Sequence, residues 1–173
     1  MTATKAIPVK RLLSAQAYQL IDREIAKYPA DQKQSAVMGA LTIAQDEVGW
    51  VSPAVIEDVA DYLSMPPIAV YEVATFYNMY NLEEVGTWKI GVCTCLPCAL
   101  REGDKAGEYL KQKLGIDFGE TTPDGRFTLI ETECLGSCAD APICLINDKR
   151  VESFMDNAKL DALIEELKVR ERH

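Results

Sequence analysis

Apolar residues recur at helical spacing four times in the first half of the chain. The recurrences cover about residues 14–27, 31–49, 52–63 and 66–76, and each places its apolar side chains on one face of a helix. Short polar or proline-containing segments separate them, which is typical of helices joined by tight loops. The pattern therefore predicts a small bundle of four helices.

Residues that favour helix starts accompany this pattern. Ser14 can cap the first helix, and Ser52, which a proline follows, can cap the third. Asp31 with Gln34 resembles a capping box for the second helix. We expect the aromatic side chains of this half, including Phe76 of the fourth helix, to lie in the bundle core rather than beside a cofactor.

The period changes after about residue 81, where short apolar runs bounded by turn residues replace the helical spacing. The predicted elements are strands at about residues 88–92, 127–130, 143–146 and 151–153, and helices at about residues 99–114 and after Asn157. Their order, strand–helix–strand–strand–strand–helix, indicates a thioredoxin-like α/β module. We therefore expect an N-terminal helical domain over residues 1–84 and an α/β domain over residues 85–173.

Composition and charge exclude several classes of function. The 173 residues carry a formal net charge of −9, which disfavours binding to nucleic acid or to anionic membranes. No apolar run is long enough for direct membrane insertion, and the N-terminus lacks a secretory signal. The only histidine is the last residue, His173, so histidine-based catalysis is not expected. There is also no glycine-rich dinucleotide fingerprint.

The cysteines carry the chemistry that the sequence offers. All six lie between Cys93 and Cys144, and four of them form two spaced pairs that each follow a predicted strand. We call these four the motif cysteines: Cys93, Cys98, Cys134 and Cys138. Four thiolates from two loops suit a 2Fe–2S cluster, and structural zinc accepts the same ligands.

Two other interpretations of the cysteines remain open at this point. Cys95-Leu96-Pro97-Cys98 has the form of a C-x-P-C redox dithiol between a strand and a helix, but this leaves the second pair unexplained. Cysteines are also often buried as small apolar residues. We expect this structural role for Cys144, which lies in an apolar strand.

Several segments together resemble a known family. They are Val-Ala-Thr-Phe-Tyr at residues 73–77, residues 92–98, residues 133–138, and Ala141-Pro142. The chain resembles, over roughly residues 14–168, the NuoE family, the small thioredoxin-like 2Fe–2S subunit of the NADH-dehydrogenase module of respiratory complex I. The resemblance implies an N-terminal helical bundle followed by a thioredoxin-like 2Fe–2S ferredoxin domain, and it assigns one cluster to the motif cysteines. Cys95 departs from the family, which commonly has no cysteine there, and is expected to lie beside the cluster without ligating it.

The resemblance also implies the function and the partners. The chain would be an electron-transfer subunit of NADH:quinone oxidoreductase that exchanges electrons with the flavin of an NADH-binding partner subunit and has no complete active site of its own. Further iron–sulfur subunits would complete the complex, and the location would be cytoplasmic and peripheral to the inner membrane. An equivalent subunit of an NAD-linked hydrogenase or formate dehydrogenase is the alternative, followed by a free-standing thiol–disulfide oxidoreductase. We expect the helical half to clamp the flavoprotein partner.

Overall fold

The chain forms two compact units in the computed structural model, which describes residues 11–170. The first unit extends to Glu84 and the second begins at Val85. Whether these units act as separate functional domains, as predicted for residues 1–84 and 85–173, stays a prediction. The expectation for His173 lies outside the described residues.

The first unit contains four α-helices around one apolar core. The helices are α1 (Ala15–Ile25), α2 (Val37–Val48), α3 (Pro53–Leu63) and α4 (Pro67–Phe76). Residues from all four helices fill the core, among them Ile21, Leu41, Val59, Leu63 and Val70. The predicted helical bundle is confirmed.

The helix starts follow the sequence in two cases and depart from it in a third. The Ser14 and Ser52 side chains accept hydrogen bonds from backbone N–H groups three residues on, as predicted. The capping box of Asp31 and Gln34 is wrong, because a 3-10 turn at Lys33–Ala36 precedes α2. A backbone hydrogen bond from the Ser35 N–H to the Gln32 carbonyl oxygen, at 3.0 Å, closes that turn.

The placement of the aromatic side chains in the core is also wrong for four of them. Phe76 is 80% exposed, and the other three are exposed as well: Tyr28, Tyr71 and Tyr77. Helix α4 buries Val70 and Ala74, which are four residues apart and share one face. Phe76 lies two residues beyond Ala74 and therefore points away from that face. None of the helices within residues 11–170 is long and apolar enough to cross a membrane.

The second unit is a four-stranded sheet with helices, in the predicted order of elements. Its elements are β1 (Trp88–Cys93), α5 (Leu96–Ala99), α6 (Gly103–Leu114), β2 (Phe127–Thr132), β3 (Ile143–Ile146), β4 (Arg150–Ser153) and α7 (Asn157–Val169). The spatial order is β2-β1-β3-β4, with β1 parallel to β2 and antiparallel to β3. The predicted α/β fold class is confirmed.

One predicted helix of this unit is divided in two. The helix expected at residues 99–114 is interrupted between α5 and α6 by Glu102, whose φ is 71°. A left-handed residue cannot continue a right-handed helix. The interruption brings Gly103 against the backbone of the cysteine segment, which is described below.

Candidate metal centre

The sheet topology brings the two cysteine segments to one edge. Strands β1 and β2 are parallel neighbours, and Cys93 pairs in register with Thr132 at their carboxyl ends. Cys93 is the last residue of β1, and Cys134 follows the end of β2 by two residues. The first cysteine loop (residues 93–98) and the second cysteine loop (residues 134–138) therefore leave the same end of the sheet.

The first cysteine loop buries the two motif cysteines at its ends. Cys93 and Cys98 are each only 1% exposed and form a small core with Ala141 and Ile143. Cys95 is partly buried against this core and caps α5. The Cys98 N–H donates to the Cys95 carbonyl oxygen at 2.8 Å, so one helical turn links the two residues.

Gly103 explains how this loop is held. A Cβ atom at position 103 would lie 2.8 Å from the Cys93 carbonyl oxygen and 2.9 Å from that of Cys98. Both contacts are to backbone atoms, which cannot move aside as a flexible side chain does. Only glycine lets α6 approach the loop this closely, and sequence reasoning did not identify this role.

The second cysteine loop is more open. Cys134 is exposed and Cys138 is partly exposed. Gly136 between them has a φ of 73°, a left-handed conformation that glycine adopts without steric cost. Leu135 packs against the core that contains Cys93 and Cys98, so the second loop rests against the first.

Electrostatics connects the thiols of the first loop to one another and to the second loop. Burial opposes ionisation of Cys93, but hydrogen bonds from the backbones of Cys95 and Leu135 and from the Cys98 thiol outweigh it and lower the Cys93 pKa. Burial raises the pKa of Cys98 to about 12, and its hydrogen bond to Cys93 and the negative charges of Cys93, Cys138 and Cys134 add to this effect. The first loop therefore favours one thiolate, at Cys93.

The thiols of the motif cysteines influence one another both within each loop and between the two loops. Cys98 hydrogen-bonds to Cys93, and Cys138 hydrogen-bonds to Cys134, which is the first cause of the raised pKa of Cys138. Within residues 11–170, no three His, Cys, Asp or Glu side chains converge closely enough to hold a single metal ion. A structural zinc site needs four ligands around one ion, whereas a 2Fe–2S cluster shares four thiolates between two irons. The four thiols of the two loops fit such a cluster by their donor type.

A buried hydroxyl group gives an independent test of the fit. The Thr132 Oγ1 atom is buried and has no hydrogen-bond partner within residues 11–170. Thr132 pairs with Cys93 in the sheet, at the edge where the two cysteine loops begin. Buried polar groups normally have partners, and the sulfur atoms of a cluster accept hydrogen bonds. The site therefore offers a donor as well as four thiols.

The two remaining cysteines differ from each other. Cys144 is fully buried in the core of the sheet, as predicted, and burial raises its pKa to about 12. Cys95 lies in the first loop, where burial and the neighbouring Cys93 raise its pKa. Its expected position within the first loop is confirmed, whereas its lack of a ligand role stays a prediction.

Comparison with known proteins gives consistent relatives. The family model described as thioredoxin-like [2Fe-2S] ferredoxin matches residues 21–168. The E subunit of the NADH-quinone oxidoreductase of Rickettsia prowazekii (strain Madrid E) is 45% identical over 148 residues, which cover 85% of this chain and 83% of the relative. NADH dehydrogenase [ubiquinone] flavoprotein 2, mitochondrial, of Dictyostelium discoideum is 40% identical over 144 residues, which cover 83% of this chain and 58% of the relative.

A solved structure supports the fold. An NAD+-reducing [NiFe]-hydrogenase in the air-oxidized state matches with a TM-score of 0.68 and 23% identity. The match covers 82% of this chain and 24% of the hydrogenase chain. At this identity the likeness concerns the fold alone.

These matches confirm the resemblance drawn from the sequence. The family model covers both cysteine loops and most of the helical unit. The predicted 2Fe–2S cofactor is the one that the family carries. The chain belongs to the thioredoxin-like [2Fe-2S] ferredoxin family, together with the E subunits of NADH-quinone oxidoreductases.

Proposed function

We propose that the motif cysteines hold one 2Fe–2S cluster through which the chain exchanges single electrons with the flavin of an NADH-oxidising partner subunit. The observation that carries the ligand assignment is the convergence of two cysteine loops at one sheet edge, with thiols of both loops near enough to influence one another's pKa. Family membership makes the chain an electron-transfer subunit of NADH-quinone oxidoreductase. The identity of the partner and of the ligands is our proposal.

The chain's own groups explain how such a site works. A 2Fe–2S cluster supplies a one-electron redox step. Cys93 and Cys98 are buried and would fix one side of the cluster, whereas Cys134 is exposed and would bring the other side close to the surface. Ligation requires deprotonated thiols, so binding would release protons from Cys98 in particular. Proximity to the surface is what electron exchange with another protein needs.

The helical unit offers a surface for that partner. On α4, Ile68 and Phe76 are 63% and 80% exposed, and Tyr71 is 48% exposed. Glu72 is the only charged residue of this helix. Large exposed apolar side chains on one element mark an interaction surface. We define the α4 patch as Ile68, Tyr71 and Phe76, and propose that the flavoprotein subunit covers it.

Charge adds a second argument for the kind of surface that the partner presents. Acidic side chains outnumber basic ones by eleven to four among residues 11–84. An apolar patch within an acidic unit fits a partner surface with an apolar centre and a basic rim. We also propose that the chain lies in the cytoplasm, peripheral to the inner membrane, as part of such a complex.

The experiment measures binding and activity separately. The isolated chain should not oxidise NADH, and it should bind the flavoprotein subunit of its complex tightly. Replacing Ile68 and Phe76 together by Ser should weaken this binding by about tenfold or more, since each removes a large apolar contact. The visible spectrum should stay unchanged, because neither residue lies in a cysteine loop.

Leu20→Ser on α1 provides the matched control. Leu20 is a 38% exposed apolar residue of the same unit, and its replacement should leave binding unchanged. If the double variant binds the flavoprotein as tightly as the unaltered chain, the role of the α4 patch is wrong. If the isolated chain oxidises NADH, the chain is not the partner-dependent carrier that we propose.

A further inference from the structure

The C-x-P-C segment contains a second thiol, that of Cys95, which the proposed set of cluster ligands does not include. We propose that Cys95 and Cys98 form a reversible disulfide in the chain without its cluster, and that this bond must be reduced before the site can take up a cluster. The blocking effect rests on the proposed ligand role of Cys98. The bond itself does not depend on that assignment.

Backbone geometry carries the first part of the argument. The N–H groups of Cys98 and Ala99 donate to the Cys95 carbonyl oxygen at 2.8 and 2.9 Å. A turn closed by such an i to i+3 bond keeps its end Cα atoms within about 7 Å. Disulfides join Cα atoms about 4.4 to 6.8 Å apart. The two residues can therefore be linked without refolding the segment.

Accessibility decides which thiol reacts first. Cys95 is partly exposed, whereas Cys93 and Cys98 are each 1% exposed. Leu96, between the two thiols of the motif, is 73% exposed, so the turn lies at the surface. A small oxidant therefore reaches Cys95 from solvent before it reaches Cys93 or Cys98.

The reaction is an ordinary thiol–disulfide exchange with a low-molecular-weight disulfide as oxidant. The Cys95 thiolate attacks one sulfur of that disulfide, forms a mixed disulfide and releases one small thiol. The Cys98 thiolate then attacks the Cys95 sulfur and releases the second small thiol. The two cysteines lose two electrons in total, and the small disulfide gains them. The two protons of the cysteines appear on the released thiols.

The bond has a direct consequence for the site. A sulfur atom in a disulfide is no longer a thiolate and cannot act as a metal ligand. The second loop also holds a hydrogen-bonded pair, Cys134 and Cys138. Three residues separate these two, and Gly136 among them is left-handed, so no helical turn holds that pair together. Cys93 lies at the end of β1, outside the turn that joins Cys95 to Cys98. We therefore expect the bond to form between Cys95 and Cys98.

The experiment uses the full chain after removal of iron and reduction of all thiols. Samples are treated with oxidised glutathione, blocked with an alkylating agent, and mapped by peptide mass spectrometry. The unaltered chain should lose two of its six thiols and show a Cys95–Cys98 link, with Cys93 alkylated. Cys144→Ala, which removes a buried thiol outside the loops, should form the same link. Cys95→Ser and, as a second variant, Cys95→Ala should not form it.

Cluster uptake is then followed by visible absorption after addition of iron and sulfide. The oxidised unaltered chain should stay colourless until a dithiol reductant is added, whereas Cys95→Ser should take up the cluster with or without oxidant treatment. A link between other cysteines, or equal uptake by the oxidised and reduced unaltered chains, would overturn the proposal. Absence of the mapped link would overturn the disulfide alone. Failure of the reduced chain to take up a cluster would overturn the ligand assignment, so the two failures are distinguishable.

Discussion

The two cysteine loops reach the same sheet edge but are held there by different means. In the first loop, Cys93 and Cys98 are buried and α6 presses Gly103 against their carbonyl oxygens. In the second loop, Cys134 is exposed and Gly136 has a left-handed backbone conformation. No atom would lie within 4 Å of a Cβ at position 136. Packing fixes the first loop, and backbone conformation shapes the second.

The difference indicates that the two loops have different roles in holding the site. A loop fixed by packing keeps its thiols in position before a cofactor is present, which lowers the ordering cost of binding. An open loop gives access to the site and leaves that side near a partner. We expect the two loops to contribute equally to ligation and unequally to stability.

The largest expected effect tests whether both loops supply ligands that the cluster requires. Replacing Cys98 of the first loop or Cys138 of the second loop by Ser should each abolish or severely alter the visible spectrum, since a four-thiolate cluster needs every ligand. Cys95→Ser and Cys144→Ala serve as controls and should keep the spectrum. The assignment is wrong if one motif cysteine can be replaced without change while Cys95→Ser loses its colour.

The next effect tests packing in the first loop. Gly103→Ala should lower the free energy of unfolding by about 1 to 3 kcal/mol, because its methyl group meets backbone oxygens that cannot yield. Urea unfolding measures this change. Gly39→Ala in α2 is the control, because its methyl group would meet only the flexible Glu24 side chain, and helical alanine is favoured. Equal stability of the two variants would contradict the packing argument.

A smaller effect tests backbone conformation in the second loop. Gly136→Ala should cost about 1 kcal/mol through its positive φ alone, since no atom lies within 4 Å of the added Cβ. Gly136→Asn should cost less, because asparagine tolerates the left-handed region better than alanine does. The same urea experiment ranks the two variants. If alanine is the milder replacement, the loop is not constrained by φ.

The smallest effect concerns the hydroxyl at the start of the second loop. Thr132→Val should lower the midpoint potential of the cluster by about 20 to 60 mV, which corresponds to one hydrogen bond to a reduced cluster. Thr132→Ser retains the donor and should keep the potential. A redox titration followed by electron paramagnetic resonance measures both. An unchanged potential in the valine variant would mean that Thr132 does not donate to the cluster.

Local signals in the sequence were sufficient for most of the fold. The apolar runs that became β1 and β2 end at cysteines, so the sequence placed both loops at strand ends, where the structure has them. The capped starts of α1 and α3 were equally clear from Ser14 and Ser52. Each of these features depends on residues that are close together in the chain.

The features that sequence reasoning missed depend on distant contacts. The break at Glu102 accompanies the packing of Gly103 against the cysteine loop, which no local pattern reveals. The exposure of Phe76 depends on which face of α4 is buried, and an almost wholly apolar helix does not show this. The unpartnered hydroxyl of Thr132 became visible only when the strands were paired.

The central claim is that four thiolates from two loops hold one two-iron cluster. Its most direct test is the iron, acid-labile sulfide and zinc content of the freshly purified full chain, measured together with its visible spectrum. The account predicts a red-brown protein with about two iron and two sulfide per chain, and loss of both in Cys98→Ser. A colourless protein that contains about one zinc per chain would contradict it.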